Sequence, residues 1–457
     1  MKLSIYARIT ILLALIFGAS ILAAAYSYYV TPHPTQLRIL YTHSPEMVEE
    51  VASAFETWYQ QKYRRQIHVE VTQTSFQEAF EKAKAIATDP EADIWWGGPV
   101  SSFNDAVAGL LQYNSTTYKN EINLTCRGFT LLKDNRSTPF WYAATQYGLG
   151  VMYNKHVLDT LDLNIPNIWT DFLDRKYMKN VAMTEPVNAD FTEPFIMLVL
   201  QSKMQIVNEF QNWTAGWNYL IKLAGSIREY GTDESDTALR VSSGYLPLAI
   251  VSDFYAYDKM EVPVPDINFT YLDVTVLQPD PIAIFKRGKY LSEAKAFVDF
   301  VLTQQAQSII GKYLLPIRSD VTTSSPRINP FSSNFPLVSG YNKTFEEKLG
   351  QIVEDYYSVW ITQKHSQVRV LWNGLVEVNA TKEDNALANR YYELAKNNFT
   401  YIGRYLNRTY LDTIYRLTGN WTDSVKKELY MTQWNGVCTT TYANVAENIR
   451  LAKEAIG

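Results

Sequence analysis

The chain has 457 residues, of which 47% are hydrophobic and 19% are charged. This balance predicts a folded protein of two or three domains and excludes extensive disorder. The net charge of −5 disfavours nucleic-acid binding, because that function needs a basic surface that neutralises phosphates. Aromatic residues make up 14% of the chain and serve either as core or as stacking surfaces.

The N-terminus carries a hydrophobic segment. Lys2 and Arg8 precede an apolar run over residues 9–29. A run of roughly 20 residues is long enough to cross a bilayer as a helix, and its basic flank is expected to stay in the cytoplasm. Residues 1–30 are therefore predicted to be a signal anchor that leaves the rest of the chain on the extracellular face of the membrane. Residues 23–25, three alanines, resemble a signal-peptidase site, so release as a secreted protein is the alternative.

Glycosylation motifs also indicate export. The pattern Asn-x-Ser/Thr accepts glycans only outside the cytosol, although composition bias alone also produces such motifs. The predicted acceptor residues are Asn114, Asn123, Asn135, Asn212, Asn268, Asn342, Asn379, Asn398, Asn407 and Asn420.

The chain has two cysteines, Cys126 and Cys438. In an oxidising compartment they could form a disulfide that closes a very long loop, and two buried free thiols are the alternative. Together with five scattered His residues they form no zinc-type spacing, so no metal site is predicted from them.

Strands and helices alternate along the first two thirds of the chain. Ser44 is a predicted N-cap, with Pro45 at the first helical position. The alternation favours an α/β fold with a parallel sheet and helices on both faces, in which ligands bind beyond the carboxyl ends of the strands. The predicted strands are 37–41, 67–71, 93–96, 141–154, 246–252 and 282–285, and further helices are predicted over 75–87 and 292–304.

The last part of the chain has a different pattern. Residues 319–339 are rich in Ser, Pro and Asn, which is typical of a linker. Residues 343–457 are predicted to be mostly helical, with Tyr and charged residues interspersed.

Several segments, in order, resemble one protein superfamily. They are Ala-Asp-Ile-Trp-Trp-Gly at 92–97, Val-Met-Tyr-Asn-Lys at 151–155, Asn-Ile-Pro-Asn-Ile-Trp-Thr-Asp-Phe-Leu at 164–173, Glu-Ala-Lys-Ala-Phe-Val-Asp-Phe-Val-Leu at 293–302 and the closing Leu-Pro-Ile-Arg at 315–318. Their order resembles the type 2 periplasmic-binding-protein superfamily, in particular the ferric-iron, thiamine and aminophosphonate binders of ABC importers. The resemblance covers roughly residues 37–320.

The resemblance implies a two-lobed, periplasmic-binding-protein-like α/β fold with a hinge, to which this chain adds an N-terminal transmembrane helix and a C-terminal helical extension. The first lobe is expected at 36–144 plus 277–325, the second at 145–276 and the extension at 330–457. Hinge segments are expected at 145–151 and 274–282. The implied function is capture of a small molecule or metal ion and its delivery to an ABC transporter permease, without catalysis and without a cofactor.

Candidate ligand contacts follow from the same resemblance. The family pattern places them at the strand ends of both lobes and on the crossing segment between them. Ser44 and Asp190 could instead be helix caps, and Trp96 could be core. The candidates are His43, Ser44, Trp96, Ser101 and Ser102 in the first lobe, Tyr147 on the crossing segment, and Glu185, Asp190, Thr192, Asp253 and Tyr255 in the second lobe.

The candidate residues also bear on the kind of ligand. Glu185 and Asp190 would repel an anion and suit a cationic ligand. Ferric binders of the family carry two adjacent tyrosines, whereas this chain reads Phe254-Tyr255-Ala256-Tyr257, which disfavours ferric iron.

Two other classes of function remain open from the sequence. A glycosylated cell-surface adhesion or structural protein could reuse the fold without a ligand. An exported hydrolase is disfavoured, because no Gly-x-Ser-x-Gly or His-Glu-x-x-His motif is present in the sequence and no carboxylate pair stands out.

Overall fold

In a computed structural model of the chain, the described residues are 17–18, 20, 35–86, 89–122, 125–126, 129–130, 133–134, 136–185, 192–203, 206–207, 210–211, 213–261, 266–404 and 408–457. The predicted signal anchor, residues 1–30, lies outside this set except for Phe17, Gly18 and Ser20. Within the described part of the chain, no helix combines the length and the apolar character that a membrane span requires.

The first α/β unit begins with a strand–helix–strand pattern that the sequence predicts well. In α1 the residues Met47, Val48, Val51 and Phe55 are buried on one face, as the helical period requires. Ser44 stands at the N-cap position but does not cap the helix, because its hydroxyl donates to Oε2 of Glu46. The elements are β1 (Thr35–Tyr41), α1 (Pro45–Tyr63), β2 (Ile67–Gln73), α2 (Phe76–Lys84), β3 (Ile94–Trp96), α3 (Val100–Asp105), α4 (Thr116–Glu121), β4 (Thr125–Cys126) and β5 (Phe129–Thr130).

The second α/β unit follows a long strand whose predicted and observed bounds are the same. This strand, β6, leads into a series of shorter strands and helices. The elements are β6 (Trp141–Asn154), α5 (Lys155–Thr160), β7 (Val181–Thr184), α6 (Thr192–Lys203), β8 (Ile206–Val207), β9 (Phe210–Gln211), α7 (Thr214–Ser226), β10 (Ile227–Gly231), α8 (Glu234–Ser242), β11 (Leu248–Ser252), α9 (Asp253–Glu261) and β12 (Ile267–Thr270).

The chain then returns to the first unit through β13 (Leu277–Ile284), α10 (Leu291–Val301) and α11 (Gln304–Ile310). β13 begins five residues before the predicted start at 282, despite Pro279 and Pro281. The register with β6 shifts between Asp280 and Pro281. Such an irregularity accommodates residues that cannot donate a ladder hydrogen bond.

One nine-stranded sheet runs through both units, in the order β2-β1-β3-β13-β6-β11-β7-β10, with β12 also paired to β6. The prediction of a parallel sheet is only partly right. β1 pairs in parallel with β2 and β3, whereas β13 and β11 both run antiparallel to β6. The sheet is mixed because the chain crosses between the units twice, in opposite directions.

The two crossing strands divide their side chains between two cores. β6 contributes Tyr142 and Ala144 to the core of the first unit and Leu149 and Val151 to the core of the second. β13 gives Ile282 and Ile284 to the first core. The molecule is therefore two lobes joined by strands, which is the two-lobed arrangement that the sequence predicts.

The Ser/Pro/Asn-rich segment is not a loose linker. Phe335 is buried, and Ile328, Phe331 and Leu337 pack with it against Leu277 and Leu315. The backbone N–H of Val338 donates to the carbonyl oxygen of Thr275 at 2.9 Å. Composition alone missed these apolar anchors.

The C-terminal region is helical, as predicted, and shares its core with the second lobe. The rings of Trp217 in α7 and Tyr356 in the extension have centroids 5.2 Å apart, and the hydroxyls of Tyr230 and Tyr357 lie 2.6 Å apart. Burial lowers the pKa of His365 to about 4, and its Nε2 lies 3.1 Å from the carbonyl oxygen of Ile227. The helices are α12 (Lys343–Trp360), α13 (His365–Thr381), α14 (Ala386–Phe399), α15 (Arg408–Leu417) and α16 (Ser424–Ile456).

The position of the extension bears on the two cysteines. Cys438 of α16 is a buried free thiol, and its Sγ donates to the carbonyl oxygen of Trp360 at 3.9 Å. It lies in the core of the second lobe, whereas a Cys126–Cys438 disulfide would require the extension to fold back onto the first lobe. The structure therefore does not contain the predicted pairing, and the side chain of Cys126 is outside the described set.

The shared core gives a stability prediction. Leu349 of α12 is fully buried in it, so Leu349→Ala should lower the free energy of unfolding by about 2–5 kcal/mol through lost burial and a residual cavity. Val425 of α16 is largely exposed, and Val425→Ala should change the free energy of unfolding by less than about 0.5 kcal/mol. Urea unfolding of both variants measures this, and equal midpoints would contradict a shared core.

Candidate functional site

The strand register brings the loops of both lobes to one edge of the sheet. In the first lobe Tyr41 pairs with Gln73 and with Trp96, so the residues that follow β1, β2 and β3 emerge side by side. In the second lobe Thr184 pairs with Gly231, and β11 lies next to β7. The carboxyl ends of the strands in each lobe therefore face the gap between the lobes.

A cavity of about 250 Å³ lies in this gap. Both lobes and both crossing strands contribute to its wall. Its lining residues are Thr42, Thr74, Ser75, Phe76 and Gly98 from the first lobe, Thr145, Gln146, Tyr147 and Asp280 from the crossing strands, and Asp233, Glu234, Ser252, Phe254 and Tyr255 from the second lobe.

Three carboxylates face the cavity. Asp280 is 8% exposed, and its Oδ1 accepts from the backbone N–H of Gly98 at 3.1 Å. Oε1 of Glu234 accepts from both the N–H and the hydroxyl of Ser252 at 2.9 Å. Asp233 is exposed and caps α8. The described lining residues include no lysine and no arginine.

Four aromatic side chains complete the wall. Phe76 begins α2, Tyr147 lies on β6, and Phe254 and Tyr255 lie at the start of α9. The rings of Phe254 and Tyr255 meet edge to face with centroids 4.7 Å apart. The cavity thus combines aromatic faces, hydroxyls and carboxylates, a mixture that is typical of small-molecule sites.

Of the candidate contacts named from the sequence, Tyr147 and Tyr255 line this cavity. His43 lies behind its wall, 2% exposed, with its ring 5.4 Å from the Trp96 ring and 5.5 Å from the Phe254 ring. Trp96 is fully buried core.

The other candidate contacts of the first lobe lie outside this cavity. Ser44 faces a small depression with Met47 rather than the cavity. Ser101 lines a second cavity, of about 310 Å³, whose opposite wall includes Lys343 and Glu347 of the extension. Ser102 lines neither cavity.

In the second lobe, Glu185 follows β7, and its backbone N–H donates to the carbonyl oxygen of Gly231 at 3.0 Å. Thr192 begins α6, and its side chain is not described. Asp190 lies outside the described residues. Their roles stay predictions.

Asp253 lies under the cavity rather than in its wall. It is 1% exposed, and its Oδ2 accepts from the backbone N–H of Gly148 at 2.8 Å and from the hydroxyl of Tyr271. Tyr257, two residues further on, is buried, and its hydroxyl lies 3.3 Å from that of Tyr271. Asp253 thus ties the second lobe to the crossing strand β6.

Most residues of the cavity wall were not among the predicted ligand contacts, although several lie in segments that the sequence pattern identifies. Thr42, Thr74 and Gly98 fall in the strand-end segments that the parallel pattern identifies, and Thr145 and Asp280 fall in the expected hinges. No feature of the sequence pattern identified Asp233 and Glu234 as residues of the cavity wall. The acidic N-cap pattern of α8 marks a helix start, and only the sheet order brings that start to the cavity.

The described residues do not favour a metal ion. Among them, no three His, Cys, Asp or Glu side chains are grouped in a way that could hold one. Ferric iron as the ligand is disfavoured further, because the hydroxyl of Tyr257 is hydrogen-bonded to that of Tyr271 and Tyr257 does not line the cavity beside Tyr255.

Comparison with known proteins identifies the domain. The family model for bacterial extracellular solute-binding proteins matches residues 108–332. This part of the chain is similar to that family. Within the solute-binding domain lie β6, β13 and the second-lobe side of the cavity.

Curated relatives cover part of the chain. A phosphoglycerate transport regulatory protein of Salmonella typhimurium is 23% identical over 237 residues, which are 50% of this chain and 55% of the relative. A protein of the same name from Salmonella typhi matches equally well. The chain therefore spans about half the length of the curated relatives it matches.

Solved structures show that the fold extends beyond the family match. The periplasmic binding protein AfuA from Actinobacillus pleuropneumoniae, described with fructose-6-phosphate bound, superposes with a TM-score of 0.56 at 21% identity. The match covers 72% of this chain and 99% of that chain. The ferric binding protein from Campylobacter jejuni has a TM-score of 0.51 at 18% identity, over 70% of this chain and 98% of that one. The two-lobed fold of periplasmic binding proteins is thereby confirmed.

The buried Asp253 predicts a pH dependence. Burial raises its pKa from 3.8 to about 7, against the lowering effects of the Tyr271 hydroxyl, the Gly148 N–H and Arg327. The native state then holds a proton that the unfolded state has lost, so the contribution of Asp253 to stability is largest at low pH and falls as the pH rises toward 7. The fall is up to about 1.4 kcal/mol per pH unit between pH 4 and 7.

Asp253→Asn should remove this slope, because the amide keeps an acceptor oxygen and cannot titrate. Urea unfolding at pH 5 and pH 8 measures the difference, with Asp384→Asn at an exposed position of the extension as the matched control. The same slope in wild type and Asp253→Asn would contradict a buried, protonated carboxyl.

Proposed function

We propose that this protein captures a small solute in the cavity between its lobes and presents it to an ABC transporter permease. The observation that carries the proposal is the composition of the cavity wall, which comes from both lobes and from the two strands that join them. The family match and the solved structures of periplasmic binding proteins support it. The alternatives of an adhesion protein and an exported hydrolase have no support from these comparisons.

The wall explains how binding would be signalled. Thr42, Thr74 and Gly98 contact the solute from one lobe, while Ser252 and Tyr255 contact it from the other. A solute that touches both sets gains contacts only when the lobes approach each other, and this differential affinity drives closure. The permease then distinguishes a loaded closed form from an empty open form. No catalytic role is proposed for any residue.

Closure can be measured in solution. Small-angle scattering of the full chain should show a smaller radius of gyration when the bound solute is present. Tyr147→Ala should weaken solute binding by at least about tenfold, because truncating an aromatic wall residue removes one to two kcal/mol or more of contact. Tyr245→Ala, at an exposed position outside the cavity, is the control. A profile that stays unchanged with bound solute would overturn the proposal.

We also propose that the protein acts outside the cytosol, held at the membrane by residues 1–30 or released after residue 25. The family to which residues 108–332 are similar is extracellular. The six acceptor asparagines within the described residues, which are Asn114, Asn268, Asn342, Asn379, Asn398 and Asn420, are exposed or half-buried, so glycans could be attached to them.

Export has a direct readout in the protein's own host. Intact mass before and after endoglycosidase treatment should differ by one or more glycans, and N-terminal sequencing should return either Met1 or Tyr26. A mature chain without glycans on any motif would contradict the glycosylation proposal.

A further inference from the structure

We propose that the solute is a small organic cation, whose ammonium group lies against Asp280 and whose body stacks on the aromatic wall. This inference rests on the proposed function and specifies the chemical class of its solute.

The charge of the cavity favours a cation whatever the state of His43. Asp233, Glu234 and Asp280 are three acidic lining residues, and His43 beside Asp280 can offset the charge of at most one of them. Arg327 lies over the ring of Tyr257 and donates to the carbonyl oxygen of Tyr313, and it is not a lining residue.

Asp280 has an acceptor that the protein leaves unused. Asp280 lines the cavity, and its Oδ2 is buried and makes no hydrogen bond within the described residues. His43 Nε2 is 3.0 Å away, but the two atoms are not aligned for a hydrogen bond. A buried carboxylate with one oxygen that lacks a donor is costly, and an ammonium group held against Asp280 would offset that cost.

The helix N-termini at the cavity do not offer an anion site. Backbone N–H groups at a helix start bind anions when they are free. Here Ser75 caps α2 by accepting from the N–H of Glu78, and Asp233 caps α8 by accepting from the N–H of Asp236. At α9 the first residue is itself an aspartate, the buried Asp253. Side chains of the protein thus occupy the starts of α2, α8 and α9.

The aromatic wall suits the rest of a cation. Side chains of Phe76, Tyr147, Phe254 and Tyr255 line a cavity of about 250 Å³, which limits the solute to a small molecule. Aromatic rings attract ammonium groups, and aromatic cages are a common means of recognising quaternary ammonium compounds. An organic cation uses both the rings and the carboxylates, whereas a phosphorylated sugar would meet three carboxylates with no basic partner among the described lining residues.

The test is a thermal-shift and calorimetry panel on the full chain. Choline and spermidine represent organic cations, fructose-6-phosphate represents anions, and glucose represents neutral sugars. We expect a cation to raise the melting temperature and the others to have no effect. Asp280→Asn should weaken cation binding about 10-fold to 100-fold, as loss of a charged hydrogen bond predicts. The variant keeps Oδ1 for the Gly98 N–H.

Two further variants keep the result interpretable. Asp233→Ser removes a charge but retains a good N-cap, so it should weaken cation binding without unfolding the protein. Asp162→Asn, in an exposed turn of the second lobe, should bind as wild type does. Binding of the anion or the sugar in place of the cations would overturn this inference and leave the proposed function intact. No binding across the panel and no small molecule co-purifying with the protein would count against both.

Discussion

The structure depends on two strands that belong to both lobes. β6 and β13 pair with each other across the middle of one sheet, and β6 places side chains in the cores of both lobes while β13 contributes to the core of the first. Because the strands are continuous, the lobes stay in register, and the residues between the two cores form the floor of the cavity. Tyr147 and Asp280 lie on this floor, so the hinge and the binding site are built from the same few residues.

Buried polar groups hold this central region together. Asp253 accepts from Gly148 on β6, and the side chain of Thr275 donates to the carbonyl oxygen of Leu149 at 2.7 Å. Gln146 reaches the carbonyl oxygen of Pro316 at 2.9 Å. Each contact joins a crossing strand to a segment distant in sequence, and leaving such groups unpaired would cost about 1–3 kcal/mol apiece. These contacts fix the crossing strands relative to the segments packed around them.

The sequence predicts more of the fold than of the binding site. The order of elements, the apolar periodicity and several segments that resemble the family were sufficient to predict two lobes. They also predicted the bounds of β6 and a helical C-terminus. The wall of the cavity was harder, because its residues come from separate segments that only the sheet order brings together. Asp280 lies between two prolines inside β13, where the local pattern predicts a break, and Phe335 anchors a segment whose composition is typical of a linker. Both are tertiary effects that local sequence does not encode.

The extension changes what closure involves. Its helices share the core of the second lobe, and Glu346 of α12 accepts from Gln278 of the crossing strand β13 at 3.1 Å, so the extension is packed on that lobe and reaches the crossing strand. The second cavity lies between the extension and α3 of the first lobe, with Asn104 on one side and Gln351 on the other. If the lobes approach each other around a solute, this gap must narrow as well. Under the proposed function, the extension therefore widens the surface that changes on closure.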